Sequence, residues 1–253
     1  MATSLFDKPT KRGCQPLNWL LDGLNYRAKF NKGVVDSENF PLLAPISGVH
    51  KFEEDFVAPY DSNQWDSNNV DDGGDSGEVC AVNDGAGGEL TLTTNDAEDD
   101  AEQRVYKTES FKLVSGKKLW FEARAKMSAA TEADMVLGLI ANENLTAVGD
   151  LLPADGVVFK KDDGDTHIDV NSSKDGTDDT AAEEGTLDTD YHRYGLYFDG
   201  NGTITPYIDG VAGTALDTTI CDDEELAPTV MVRAGDGNAR TLTVDYIRVV
   251  QER

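Results

Sequence analysis

A chain of 253 residues that carries 22 Lys and Arg against 48 Asp and Glu, a net charge of −26, repels phosphate backbones and anionic bilayers, which excludes nucleic acid and membrane surfaces as partners. Its 39% of hydrophobic residues suffices for one large core, yet no run approaches the roughly 18 apolar residues of a membrane span. The start, Met1 to Pro9, lacks the charged and apolar regions of a secretory signal, so the expectation is a soluble protein made in the cytoplasm.

The first stretch differs in charge from the rest. Residues 1–50 hold six Lys and Arg against four Asp and Glu, and residues 51–253 hold sixteen against forty-four: a mildly basic arm precedes an acidic body. Leu17, Leu20, Leu21 and Leu24 recur at helical spacing after Pro16, which predicts one short amphipathic helix over about 15–30. Pro41 and Pro45 then force an extended path that carries Phe40, Leu42, Leu43 and Ile46. Apolar groups on so thin a segment need a cover, either the chain's own body or a neighbouring subunit. The division is 1–48 arm and 49–253 body.

The body reads as strands and turns. Residues 50–57 open it with Phe52 inward, and 60–75 form an Asn/Asp/Gly-rich loop containing Trp65. Strands follow at 78–82 and 89–94, then an acidic insertion at 95–102, a segment at 104–114 and a strand at 118–128. In that last strand Leu119, Phe121, Ala123, Ala125 and Met127 share one face, while Trp120, Glu122, Arg124 and Lys126 share the other. The nearly continuous apolar run at 135–141 predicts a central strand covered on both faces. Further strands are expected at 157–160, 167–170, 229–234 and 242–250. Between them, 191–200 and 202–210 alternate with period two: Tyr194, Leu196 and Phe198 share one face of the first, and Ile204, Pro206 and Ile208 alternate with Thr203, Thr205 and Tyr207 in the second. Asp199-Gly200-Asn201-Gly202 folds them into a hairpin. About a dozen strands fit an all-β, two-layer antiparallel jelly-roll sandwich.

The stretches LWFEARAKMS (119–128), YGLYFDGNGTITPYIDG (194–210) and LTVDYIRVVQER (242–253) resemble the concanavalin A-like, or laminin G-like, sandwich found in tailed-phage structural proteins, over roughly Val49 to Arg253. That sandwich also occurs in glucanases with Glu-x-Asp-x-x-Glu on one strand, where alternation aims the carboxylates into one cleft. Here Glu53/Asp55, Glu98/Asp100 and Glu132/Asp134 begin the pattern, but Ala58, Gln103 and Leu137 stand where the second Glu belongs. His50, His167 and His192 each stand alone, no Gly-x-Ser-x-Gly elbow is present, and Cys14, Cys80 and Cys221 show no zinc spacing. No cofactor is implied. Calcium would suit Asp162, Asp163 and Asp165, or the aspartates at 71–75, although neither run matches a spaced ligand loop with its terminal Glu, and turn aspartates have backbone reasons to be there.

Two functions are compatible with these observations. The first, favoured by the arm and the missing catalytic motif, is a non-enzymatic virion protein. It would be a homo-oligomeric capsid decoration or cement protein that grips the major capsid protein, or another shell protein, through Leu17, Leu20, Leu21, Leu24, Phe40, Leu42, Leu43 and Ile46. The second is a carbohydrate-binding module with Tyr60 and Trp65 stacking on a sugar. Trp65 admits a plainer role, plugging the sandwich edge.

Overall fold

The computed structural model describes residues 49–57, 63–70, 79–83, 87–146, 149, 151–217 and 219–253. The expected arm helix, the eight apolar arm residues, Tyr60 and the aspartates at 71–75 lie outside the described residues. In chain order the strands are β1 (Val49–Glu54), β2 (Trp65–Val70), β3 (Val79–Asn83), β4 (Glu89–Thr93), β5 (Ala101–Tyr106), β6 (Leu119–Met127), β7 (Ala133–Ile140) and β8 (Gly156–Lys161). They continue with β9 (His167–Lys174), β10 (Thr177–Thr186), β11 (His192–Phe198), β12 (Ile204–Ile208), β13 (Val211–Ala212), β14 (Ala227–Ala234) and β15 (Thr241–Glu252). All pair antiparallel in two sheets. The eight-stranded sheet runs β13-β12-β11-β6-β15-β4-β3, with β1 also on β15, and the seven-stranded sheet runs β10-β9-β8-β7-β14-β5-β2. No helix occurs among the described residues, so the all-β sandwich is the fold.

The period-two patterns decide which faces meet. Leu119, Phe121, Ala123, Ala125 and Met127 of β6 and Tyr194, Leu196 and Phe198 of β11 turn inward. There they meet Met135, Leu137, Leu139, Val157 and Phe159 of the other sheet. The β11–β12 hairpin forms as its turn residues require, with Gly200 and Gly202 at φ of 79° and 104°. Strand β7 is buried at all eight positions, between β8 and β14, as the nearly continuous apolar run from 135 predicts. Its Gly138 cannot carry a side chain, because a Cβ there would stand 2.2 Å from the Val157 carbonyl oxygen.

Two strands depart from expectation. Residues 65–70, read as loop, form β2, and Trp65 is buried against Phe52 and Tyr106 with ring centroids 6.1 and 5.4 Å away. The acid-rich residues 177–186, to which the sequence assigns no strand, form β10. These are the two edges of the seven-stranded sheet. An edge strand has solvent along one side, and polar or charged residues there discourage pairing with another chain, so neither strand shows the apolar signature of its interior neighbours.

Strand β15 carries a bulge. Val244 pairs with Ala125 and Tyr246 with Arg124, so Asp245 is the extra residue. Leu242 and Val244 point into the core before the bulge and Ile247 and Val249 after it, which leaves Asp245, Tyr246 and Arg248 on the outer face.

His192, expected as a lone imidazole, is held between two aspartates. Its Nδ1 lies 2.6 Å from Asp209 and its Nε2 3.1 Å from Asp188. Burial pulls its pKa down, but the hydrogen bonds to Asp209 and Asp188 outweigh burial and raise it above 6.5.

Two stability measurements test this account. Gly138→Ala should lower the urea midpoint by the equivalent of at least about 1–3 kcal/mol. Gly149→Ala, whose Cβ would meet nothing within 4 Å, should barely move it. His192 contributes stability that is full below the unfolded-state pKa of 6.5 and is lost as pH rises through the higher folded value. The advantage of wild type over His192→Gln should therefore shrink between pH 6 and pH 9, by up to about 1 kcal/mol. An advantage that grows with pH would reverse the assignment.

Candidate functional site

The outer faces of the two sheets differ. On the seven-stranded sheet, Ala101, Val105, Val136, Ile140, Val158 and Met231 make a second apolar cluster, capped by Leu145 and Leu151 of the β7–β8 connection. Gln103 fastens that connection: its Oε1 accepts from Leu145 N at 3.0 Å and Asn68 Nδ2 at 3.1 Å, and its Nε2 donates to Glu143 O and Thr229 Oγ1. The middle of this face is therefore closed by the chain itself.

The outer face of the eight-stranded sheet instead presents aromatic and charged groups in three rows set by strand register. Tyr197, Trp120 and Val250 form one row across β11, β6 and β15. Tyr207, Gly195, Glu122, Arg248 and Glu53 form the next, from β12 to β1. Arg193, Arg124 and Tyr246 form the third. Trp120 is buried against Tyr197 and Tyr207 and lies 5.5 Å from the Tyr197 ring, while both tyrosines are partly buried. Burial raises the Tyr207 pKa, and the neighbouring Tyr197 adds to the rise.

Glu122 stands at the centre of this face. It is 3% exposed, and its Oε1 accepts from Tyr246 Oη at 2.8 Å. Its Oε2 has no hydrogen-bond partner. Burial drives its pKa up, opposed in part by the Tyr246 hydrogen bond and by the charges of Arg193 and Arg248. Around it, Arg248 stacks on Tyr246 at 4.4 Å and pairs with Glu53 at 3.2 Å. Arg124 pairs with Asp245 at 2.5 Å and lies over the Tyr191 ring at 4.1 Å, with Lys126 at 4.5 Å from the same ring. The Asp245 bulge is what brings Tyr246 onto Glu122 and Asp245 onto Arg124.

The candidates named from sequence fall elsewhere. Trp65 is 3% exposed in the main core, so the reading of it as a sugar-stacking residue is corrected: it plugs the sandwich. Asp162 pairs with Lys160 at 2.9 Å, and Asp165 accepts from His167 Nδ1 at 2.7 Å and from the backbone of Thr166 and His167. Asp163 lies against Gly235, so the three carboxylates do not gather round one point. Among the described residues, ligand atoms do gather at Asp155, Cys221 and Asp223. There the thiol is pushed by burial up to about 12 and donates to Asp155, which makes it a poor ligand. The three Glu-x-Asp pairs are dispersed: Glu53 sits on the outer face in β1, Asp100 is buried in the turn before β5, and Asp134 is buried on Arg233 at 2.6 Å.

No family model matches the chain, and no curated protein matches it. Solved structures do. An endo-1,3-beta-glucanase from Streptomyces sioyaensis is 17% identical with a TM-score of 0.56, over 82% of this chain and 98% of that one. A Bacteroides ovatus mixed-linkage glucan enzyme of family GH16, with bound product, is 15% identical with a TM-score of 0.56, over 78% and 99%. A protein of unknown function from Shewanella oneidensis is 9% identical with a TM-score of 0.54, over 89% and 92%. At these identities the likeness establishes the fold, a concanavalin A-like jelly roll. The expectation of a non-enzymatic capsid decoration protein is overturned, because the sandwiches this chain resembles are mostly glycoside hydrolases.

Glu122 offers a check on the electrostatics. A carboxyl whose folded pKa lies above its ordinary 4.5 contributes stability below that value and loses it as pH rises through the folded one. Glu122→Gln, which cannot ionise, should therefore gain on wild type in urea midpoint from pH 4 to pH 8. A gain that fell with pH would mean that Tyr246 and the arginines hold the carboxyl ionised.

Proposed function

We propose that the chain is a carbohydrate-active protein that engages a β-linked glucan along the outer face of its eight-stranded sheet. The observation that carries this reading is the array on that face, where the partly buried rings of Tyr197 and Tyr207 lie on the β11–β12 side of a buried carboxyl, Glu122, with Arg193 and Arg248 beside it. Sugar rings offer apolar C–H faces that suit aromatic rings, and equatorial hydroxyls that need oriented donors and acceptors. The similar sandwiches include an endo-1,3-beta-glucanase and a mixed-linkage glucan enzyme of family GH16, which supports the choice of polymer.

The face also carries two carboxyls in one row. Glu122 and Glu53 are separated by the single strand that bears Arg248, about 10 Å apart at the backbone from ordinary strand spacing. Acid and base work on a glycosidic bond uses two carboxyls that flank the scissile bond. In this chain they would come from two strands and not from one Glu-x-Asp-x-x-Glu strand.

Affinity electrophoresis in gels containing laminarin or mixed-linkage glucan is the test, with reducing ends assayed in parallel. Wild type should be retarded by at least one of these glucans, and Tyr197→Ala/Tyr207→Ala should lose about tenfold in affinity, the scale of one or two stacking contacts. Wild-type mobility indifferent to both glucans would overturn the proposal. Reducing ends released by wild type and not by Glu122→Gln would extend it from recognition to cleavage.

A further inference from the structure

We propose that Asn201 is a site of spontaneous modification, at which the side-chain amide is displaced by the Gly202 backbone nitrogen in a reaction that consumes only water and loosens the β11–β12 hairpin. The inference is independent of the glucan-binding reading.

The fold itself brings the reactants together. The turn between β11 and β12 places residue 202 at a φ of 104°, which calls for glycine. Asn201-Gly202 is the one Asn-Gly step in the chain. With no Cβ on residue 202, nothing crowds the nitrogen that must reach the Asn201 side chain. Asn201 is also exposed, so its amide is open to water.

The hydrogen bonds of the turn pass over that nitrogen. Asp199 Oδ1 accepts from Asn201 N at 2.6 Å and from Thr203 N at 3.1 Å, and Asp199 N donates to Thr203 O at 3.1 Å. Gly202 N, which lies between the two clamped amides, donates to nothing among the described residues. An amide held in a ladder is shielded from deprotonation, and this one is not. Two other asparagines lack the combination: Asn171 is buried within β9, before Ser172, and exposed Asn238 precedes Ala239, whose Cβ crowds the nitrogen.

The steps balance without oxidant or reductant. Gly202 N gives its proton to hydroxide and bonds to Asn201 Cγ. The Cγ–Nδ2 bond breaks, and the nitrogen takes a proton and leaves as ammonia. Water then opens the resulting five-membered imide. Opening at Cγ leaves aspartate at 201. Opening at the backbone carbonyl routes the main chain through the side chain and lengthens it by one carbon. The lengthened turn cannot keep residues 201 and 203 both on Asp199, and the Phe198–Ile204 pair begins directly beyond.

The full chain, folded and in parallel unfolded in urea, is incubated warm at pH 8, digested in mild acid and followed by mass spectrometry. In the folded protein the peptide containing Asn201 should gain about one mass unit and split into two chromatographic forms. Its rate should lie within about fivefold of the unfolded chain's and fall about tenfold at pH 6, as the amide anion becomes scarcer. Peptides containing Asn171 and Asn238 should keep their mass while the protein is folded. The urea midpoint of wild type should drop as conversion proceeds. Asn201→Gln, which would have to close a six-membered ring, should keep both its mass and its midpoint. If folded wild type retains the Asn201 amide over a period in which the unfolded chain loses it, the turn holds Gly202 N away from Asn201 Cγ and the inference falls.

Discussion

The pairing of β15 with β6 is the constraint on which the rest of the structure depends. The last strand of the chain runs beside β6 from Leu242 to Gln251, and its other edge receives β4 over its first residues and β1 over its last. Three segments far apart in sequence are thereby fixed to one twelve-residue strand. Such pairing closes a long loop before any contact rewards it, so the sandwich must form late and cooperatively. The same strand then sets the chemistry of the outer face. Its Asp245 bulge shifts the alternation by one, and without that shift Tyr246 and Arg248 would point into the core and Ile247 and Val249 into solvent.

The two outer faces meet the same physical problem differently. A sheet with apolar groups on both sides must cover the second one, and the seven-stranded sheet does so with Leu145 and Leu151, locked by the carboxamide of Gln103. The eight-stranded sheet covers Trp120 with amphipathic side chains, the rings of Tyr197 and Tyr207, which bury their bodies and keep polar tips near solvent. Only the second solution leaves aromatic and hydrogen-bonding groups facing outward together. That difference, more than fold likeness, places the candidate site.

What the sequence reveals follows from where each strand lies. Interior strands such as β6, β7 and β11 bury at least one face between neighbours, so period-two alternation or an unbroken apolar run names them within a residue or two. The edges β2 and β10, WDSNNV and TDDTAAEEGT, carry the polar residues an edge requires and read as loop or not at all. Trp65 misleads for the same reason: in polar surroundings it looks like a lectin's exposed ring, but it sits on an edge strand with its side chain turned inward. The site was partly visible. Trp120, Glu122, Arg124 and Lys126 share a face in the sequence, yet their partners Tyr246 and Arg248 come into register only through the bulge. The signal for it is present, since Leu242 and Val244 alternate in one phase and Ile247 and Val249 in the other.

The charge of the chain bears on which polysaccharide could reach this face. The body holds forty-four Asp and Glu against sixteen Lys and Arg, yet Arg124, Lys126, Arg193 and Arg248 converge on the outer face of the eight-stranded sheet, where Asp245, Glu53 and Glu122 balance them. A locally near-neutral patch within a strongly negative surface offers a polyanion no route of approach, because the long-range field repels it before any arginine can act. A neutral polymer does not feel that field, and its encounter depends on shape, ring stacking and hydrogen bonds alone. Net acidity and a balanced, aromatic face therefore agree with the proposed reading of this face as one that takes an uncharged glycan.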